Sequence, residues 1–238
     1  MRPVTNDPVP TFSLKALTSD RRTIALFAVV AIVLFVVGGL ASEVLEGESF
    51  AIDRTIMLAL RTPGHLAQPI GPGWLPAVMR DISAFGGVTG LTMITLLAAG
   101  SLMATRNPRT AGFVIVAISA GAILASWLKT VFLRPRPDLV PHLVDVSNAS
   151  FPSGHAMNSA IVYLILAALV ARTQQDRDVR LYVQAAAIAL TLVVGVSRVY
   201  LGVHWPSDVV AGWCVGALWA MLCSMVFHRV IAPVRHVV

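Results

Sequence analysis

The chain has 238 residues, of which 56% are hydrophobic and only 13% charged, and its mean hydropathy is +0.77. A water-soluble domain of this length cannot hide so much apolar surface, so lipid must serve as part of its solvent. The net charge of +6 does not point to nucleic acid, because the basic residues are scattered between apolar runs and form no stripe.

In chain order, a polar segment over residues 1–22 leads into a first apolar run, Thr23–Leu45. That run has the length of a membrane span and lacks the small-residue cleavage pattern of a signal peptide, so it reads as a retained helix. The stretch Glu46–Asp81 follows. Within it Ile52, Ile56 and Leu60 recur at a spacing of four, which suggests a short amphipathic helix lying at the outer interface, with an irregular loop as the alternative. Pro69, Gly71, Pro72 and Gly73 break any helix beyond it. Five more apolar runs are predicted at Ile82–Ala104, Ala111–Leu133, His155–Ala171, Leu181–Tyr200 and Val209–Phe227. The expectation is an all-α polytopic fold of six transmembrane helices over residues 23–229, with a short tail over 230–238. The two cysteines, Cys214 and Cys223, are nine residues apart in one run and fall on opposite faces of a helix, so they cannot pair and no cysteine-based metal site is possible. Gly212 and Gly216 form a small-xxx-small pair that suits internal packing and dimerisation equally, which leaves the oligomeric state open.

Charge gives an orientation. With the N-terminus inside, the inner side carries 11 basic residues against the four acids Asp7, Asp20, Asp176 and Asp178, a net of +7. The outer side carries seven basic residues against eight acids, a net of −1. The positive-inside rule therefore puts both termini in the cytoplasm of an inner (plasma) membrane protein.

Three stretches then fall together on the outer side. The first runs from Lys129 to Arg136 and Pro137, the second is Pro152, Ser153, Gly154 and His155, and the third runs from Ser197 and Arg198 to His204 and Asp208. Lys129, Arg136 and Arg198 would repel one another around a pocket unless an anion with several oxygens filled it; Arg offers a planar fork for phosphate oxygens and Lys a point charge. Ser153 suits the N-cap of the following helix, whose free N–H groups and dipole favour an anion, and Gly154 lets that anion approach the backbone. His204 and Asp208 are four apart, with Pro206 in the first helical turn, so Asp208 can accept from one ring nitrogen and leave the other as a nucleophile. His155, on the opposite wall, can protonate a leaving oxygen. Singly, each residue has an ordinary explanation: a histidine at a helix end, an arginine snorkelling to headgroups, a serine cap. Those explanations do not account for all of them at fixed spacings on one membrane face. His65, His142, His228 and His236 have no such partners. A metal site would need convergent histidines and carboxylates, and only Asp208 and Asp138 lie near the histidines, so no metal and no cofactor is expected.

At these residues the chain resembles the type 2 phosphatidic acid phosphatase (PAP2) superfamily. Its three-part signature is Lys-x6-Arg-Pro, Pro-Ser-Gly-His and Ser-Arg-x5-His-x3-Asp, and all three parts match without departure between Lys129 and Asp208. The resemblance implies a lipid phosphatase in which His204 attacks phosphorus, Asp208 orients it, and His155 protonates the leaving group. Lys129, Arg136, Ser153, Gly154 and Arg198 would bind the phosphoryl oxygens. Arg134 lies outside the signature and has no implied role. The implied partner is a membrane lipid phosphate of the undecaprenyl diphosphate or phosphatidic acid type, approaching along an apolar lining expected from Phe132, Leu133, Phe151 and Trp205. A lipid phosphotransferase with the same histidine chemistry, a vanadium haloperoxidase (typically larger and soluble) and a non-catalytic lipid-binding membrane protein are the alternatives.

Overall fold

The computed structural model of the protein describes residues 21–46 and 51–231, so most of the expected N-terminal segment and C-terminal tail lies outside the described residues. Helix α1 covers Arg21–Leu45 and α2 covers Ala51–Ala59. A small antiparallel hairpin, β1 (Arg61–Thr62) and β2 (His65–Pro69), leads to α3 (Leu75–Ala84) and α4 (Val88–Ala104). The remaining helices are α5 (Pro108–Phe132), α6 (Gly154–Thr173), α7 (Arg177–Tyr200) and α8 (Pro206–Val226), the last running into a π-helical turn at Phe227–Ile231.

Local chemistry explains these limits. Prolines open α5 and α8, where an absent N–H costs nothing. Asp176 caps α7 by accepting from the Asp178 backbone N–H at 2.7 Å. Helix α5 ends at Leu133, which adopts a left-handed conformation (φ 46°), and Pro135 and Pro137 prevent its resumption. The four helices α5 to α8 have 20–25 residues and are each apolar enough to cross a bilayer, since about 20 residues suffice. Their outward faces carry large exposed apolar side chains such as Val116, Ile123, Trp127 and Tyr182, as a lipid-facing surface should.

The run predicted as one helix over Ile82–Ala104 is instead two. Helices α3 and α4 meet at a bend of 46° around Phe85–Gly87, and only as a bent pair do they make a fifth candidate span. The cause is two glycines at the bend. A Cβ at Gly86 would lie 2.3 Å from Val194 and 3.2 Å from the His155 carbonyl oxygen, so the chain crosses α6 and α7 too closely for any side chain. Tyr163 fixes the bend by donating to the Phe85 carbonyl at 2.6 Å. The described apolar part of α1, Val30–Leu45, is shorter than a full span.

Helix α6 is the axis of the bundle, with 56% of its apolar window buried, against 28% for α5 and 22% for α7. In lipid there is little hydrophobic gain from joining helices, so close packing of small residues and interhelical hydrogen bonds must hold them. Gly212 and Gly216 serve that purpose: both press α8 onto α6, with a Cβ at Gly216 placed 2.5 Å from the Met157 carbonyl oxygen. Trp219 donates from α8 to the Ala117 carbonyl on α5 at 2.9 Å, and Trp213 to Thr191 on α7 at 3.0 Å. Cys214 and Cys223 are both free thiols.

Helix α2 forms within the expected amphipathic stretch, and the face opposite its isoleucines is anchored in the protein. Ile52 and Ile56 face outward, whereas Asp53 and Met57, also four apart, are almost fully buried. The buried carboxylate of Asp53 is tolerated because two hydrogen-bond donors and an arginine meet it, as described below.

Candidate active site

One end of the bundle gathers the C-terminal ends of α5 and α7 and the N-terminal ends of α6 and α8. There a cavity of about 390 Å³ is lined by Lys129, Arg136, Gly154, His155, Arg198 and His204, together with Gly86, Val88, Asn158 and the loop residues Val144–Asn148. Six of the eight site residues expected from sequence thus share one cavity. Ser153 is fully buried at the N-cap of α6, and its hydroxyl has no hydrogen-bond partner, not even as a cap. Asp208 lies fully buried behind His204.

His204 sits in the connection between α7 and α8. Its Nδ1 is 3.3 Å from Oδ2 of Asp208, and its Nε2 is 3.4 Å from a guanidinium nitrogen of Arg136 at the cavity wall. A carboxylate only accepts, so the proton belongs on Nδ1 and the Nε2 lone pair faces the cavity. Burial pushes the His204 pKa down to about 4, against the opposing hydrogen bond and charge of Asp208, so the ring is neutral near pH 7. Asp208 is held by more than His204: its Oδ2 also accepts from the Trp205 backbone N–H at 2.9 Å and from the Ser150 hydroxyl. The dyad is aligned before any substrate arrives.

The cations stand on the remaining walls. Arg136 donates to the Asn148 carbonyl (2.8 Å), the Asn148 side chain (2.7 Å) and the Val203 carbonyl (2.6 Å). Burial lowers its pKa while Asp208 opposes that shift. Lys129 donates one bond, to the Ala149 carbonyl at 2.6 Å, and keeps two N–H groups for the cavity. Arg198 reaches back to the Ser83 hydroxyl at 2.8 Å, while its buried Nε has no partner. Ser83 is on α3, so the bend between α3 and α4 also positions a cation. A Cβ on Gly154 would lie 3.4 Å from Lys129 Cε, so the glycine keeps room beside that ammonium. Among the described residues no three His, Cys, Asp or Glu side chains converge as metal ligands.

Two residues went unassigned in the sequence. Arg134 is 5% exposed and donates from Nη1 to Asp208 Oδ1 at 2.6 Å and to the Ser207 hydroxyl at 2.8 Å, and from Nη2 to Asp53 Oδ2 at 3.3 Å. Asp53 is 1% exposed and also accepts from the Ser207 backbone N–H at 2.8 Å and the Ser207 hydroxyl. The only signals for them were a second Arg-Pro step beside the first motif and an acid at the centre of an amphipathic stretch.

The expected apolar lining needs correction. Phe151 and Trp205 are buried behind the dyad, Leu133 faces outward, and neither they nor Phe132 lines the cavity. Phe132 stacks edge-on to Phe151, with ring centroids 4.9 Å apart, inside the wall. The apolar surface next to the site lies elsewhere, in a groove of about 210 Å³ between α4, α5 and α6 that shares Val88 and Asn158 with the polar cavity.

A buried histidine backed by a carboxylate and facing three cations, at one end of a bundle of apolar helices, defines a membrane-embedded site for a phosphorylated substrate. The chain belongs to the PAP2 superfamily, whose sequence profile matches residues 110–232. It is 34% identical over 148 residues to phosphatidylglycerophosphatase B of Bacillus subtilis, covering 61% of this chain and 71% of that protein. It is 27% identical over 188 residues to a lipid A 1-phosphatase of Rhizobium etli, covering 68% and 77%. The crystal structure of a transmembrane PAP2-type phosphatidylglycerolphosphate phosphatase from Bacillus subtilis superposes with a TM-score of 0.75 at 27% identity, covering 84% of this chain and 96% of that one. The chain is a PAP2-type phosphatase.

Proposed function

We propose that this enzyme hydrolyses a lipid phosphomonoester or diphosphate through a phosphohistidine, without a metal. The observation that carries the reading is the Nε2 of His204 at the wall of a cavity lined by Lys129, Arg136 and Arg198, 3.4 Å from an Arg136 nitrogen, with Asp208 behind its other nitrogen. In the first step Nε2 forms the N–P bond as the bond to the leaving oxygen breaks, and His155, protonated once the phosphate anion is bound beside it, gives its proton to that oxygen. In the second step His155 takes a proton from water, whose oxygen attacks phosphorus and releases His204. The three cations, the Ser153 hydroxyl and the N-terminus of α6 at Gly154 balance the charge that builds on the equatorial oxygens.

The lipid assignment rests on the groove between α4, α5 and α6, which joins the cavity and opens toward the bilayer-facing helices. The bent pair α3–α4 and helix α1 complete six spans in this reading, and the charge split places the site outside. An outward site favours a polyprenyl diphosphate such as undecaprenyl diphosphate first, because carrier-lipid diphosphate is released on that face during wall assembly, and phosphatidic acid second. The relatives add phosphatidylglycerophosphate and lipid A as further candidates.

The test is phosphate release by purified protein in detergent from these four lipids and from glucose 6-phosphate, with and without excess EDTA. Turnover of at least one lipid should survive EDTA and be blocked by vanadate. Loss on chelation that Mg²⁺ restores would overturn the histidine mechanism, and equal turnover of the soluble sugar phosphate would overturn the lipid assignment. Orientation has its own check. Cysteines placed at Asn107 and Gln175, at the opposite end of the bundle from the site, should resist an impermeant thiol reagent in intact cells. Labelling there without permeabilisation would reverse the topology.

A further inference from the structure

Asp208 serves two masters. Its Oδ2 faces His204, Trp205 and Ser150, and its Oδ1 faces Arg134. A guanidinium 2.6 Å from a fully buried carboxylate is a strong, charge-assisted contact. Taken alone it would work against catalysis, since a neutralised Asp208 has no charge to lend the imidazole when His204 becomes positively charged on phosphorylation. Arg134 is not left alone with Asp208, however. Its other nitrogen meets Asp53, which is itself pinned by the backbone N–H and hydroxyl of Ser207. Two buried carboxylates share one guanidinium, so the group keeps one net negative charge. The cations Lys129, Arg136 and Arg198 line the cavity on the other side of His204's ring nitrogen Nε2, where the proposed reaction places the phosphate.

We infer that Asp53 and Arg134, both outside the three motifs, are positioning residues that fix the orientation of Asp208 and hold its negative charge in reserve for His204. The inference rests on the reading of His204 as the nucleophile. Arg134 orients the carboxylate from behind, and Trp205, whose ring centroid lies 5.5 Å from the guanidinium carbon, holds it from the side. Asp53 draws off part of the guanidinium's charge. This gives α2 a purpose that an interface helix would lack: it delivers a counter-charge to the back of the active site.

A purely structural staple and a charge reserve differ in what Arg134→Gln should do when it is added to Asp53→Asn. Ser207 N–H and Arg134 are accepted by different oxygens of Asp53, so the amide can keep only one of them; Asp53→Asn therefore loosens a staple too, and losing Arg134 as well would loosen it further. A charge reserve would be spent by Asp53→Asn, because Arg134 would then neutralise Asp208 alone. The experiment measures single-turnover phosphoenzyme formation with p-nitrophenyl phosphate, per folded protein judged by size exclusion and thermal melting. We expect Asp53→Asn to slow that step at least about fivefold with KM nearly unchanged, since coupling between contacting groups reaches factors of this size. Adding Arg134→Gln to Asp53→Asn removes one positive charge and restores the net negative charge on the cluster. The double variant should therefore form phosphoenzyme faster than Asp53→Asn, and Asp53→Glu should retain most of the rate. A wild-type rate in Asp53→Asn, or a double variant slower than that single one, would overturn the inference. His204→Ala separates the two levels. If it still turns over, the nucleophile reading itself fails; if it is inactive while Asp53→Asn is normal, only the charge reserve fails.

Discussion

The two flanks of α6 are built on opposite plans. Against α8 there is no spare room: a Cβ at Gly212 would lie 2.8 Å from the Ser153 carbonyl oxygen, and one at Gly216 would lie 2.7 Å from Ala160 Cβ. Against α4 and α5 the packing is open enough to leave the 210 Å³ apolar groove. The dyad sits at the end of the close-packed flank, where Ser153 N–H donates to the Asp208 carbonyl at 3.0 Å and ties the two helix starts together. Lys129 comes from the open flank, and the groove leads away from it. Nucleophilic nitrogen and carboxylate need fixed geometry, since small displacements of aligned groups cost much of their rate advantage. A lipid chain needs a way in. In the proposed mechanism these two demands fall on opposite sides of one helix.

The largest expected effects lie on the close-packed side. His204→Ala should abolish turnover of every phosphate substrate while leaving the melting temperature of the detergent-solubilised protein close to wild type. Asp208→Asn should lower kcat by roughly 10³- to 10⁴-fold, by analogy with the orienting aspartate of hydrolase triads. Phosphate release measured over long incubations reads both. A variant at His204 that keeps even a few per cent of activity would show that the rigid flank does not hold the nucleophile.

An intermediate effect concerns pH. The folded-state pKa of His204 is about 4, below the unfolded value of about 6.5. As pH falls below 6.5 the unfolded chain takes up this proton first, so folding free energy is lost progressively until the folded ring also protonates near pH 4. The stability is fully present above pH 6.5, and the total loss from this group is about 3 kcal/mol. Thermal melts of wild type and His204→Gln between pH 7 and 4 should diverge, with the variant showing the shallower decline. Parallel curves would mean that His204 is not buried as a neutral ring.

The contrast between flanks also explains what could be read from the sequence. The dyad and the cations were legible because α-helical starts and ends impose fixed spacings: four residues from His204 to Asp208, two from Ser153 to His155, seven from Lys129 to Arg136. The Asp53–Arg134 pair was not, because the two residues are 81 apart and belong to different elements that meet only in the folded bundle. The stretch around Ile52 and Ile56 has one apolar and one mixed face, and periodicity identifies the apolar face without showing that Asp53 on the other is buried against the bundle. The bend at Gly86 was hidden for a similar reason: hydropathy stays high through Phe85 and Val88, and what forbids a straight helix is the approach of Val194 and His155 from other segments. The expected lining by Phe132, Phe151 and Trp205 failed because nearness in sequence to the motif residues places a side chain behind the site as readily as before it.

The smallest effect expected is on the open flank, and it is selective. Ser119 and Ala122 line the groove from α5, facing Leu91 and Thr95 on α4. Ser119→Phe would fill much of the groove without touching any group that contacts phosphate. If a lipid chain lies there during turnover, each CH₂ it can no longer bury forfeits roughly 0.8 kcal/mol when the alternative is water. In detergent or bilayer much of that loss is recovered, because the displaced chain finds other apolar surroundings, so a change of about tenfold in kcat/KM is the reasonable scale. The comparison to make is dioleoyl against dihexanoyl phosphatidic acid, in wild type and Ser119→Phe. The long-chain substrate should lose its advantage, and the short-chain one should be turned over as before. An equal loss on both would mean that the substitution disturbs α5 and Lys129 instead, and no loss on either would place the chain outside the groove. Because the groove is on the flank away from α8, the same substitution should leave the His204–Asp208 geometry intact, so phosphoenzyme formation from p-nitrophenyl phosphate serves as the internal control.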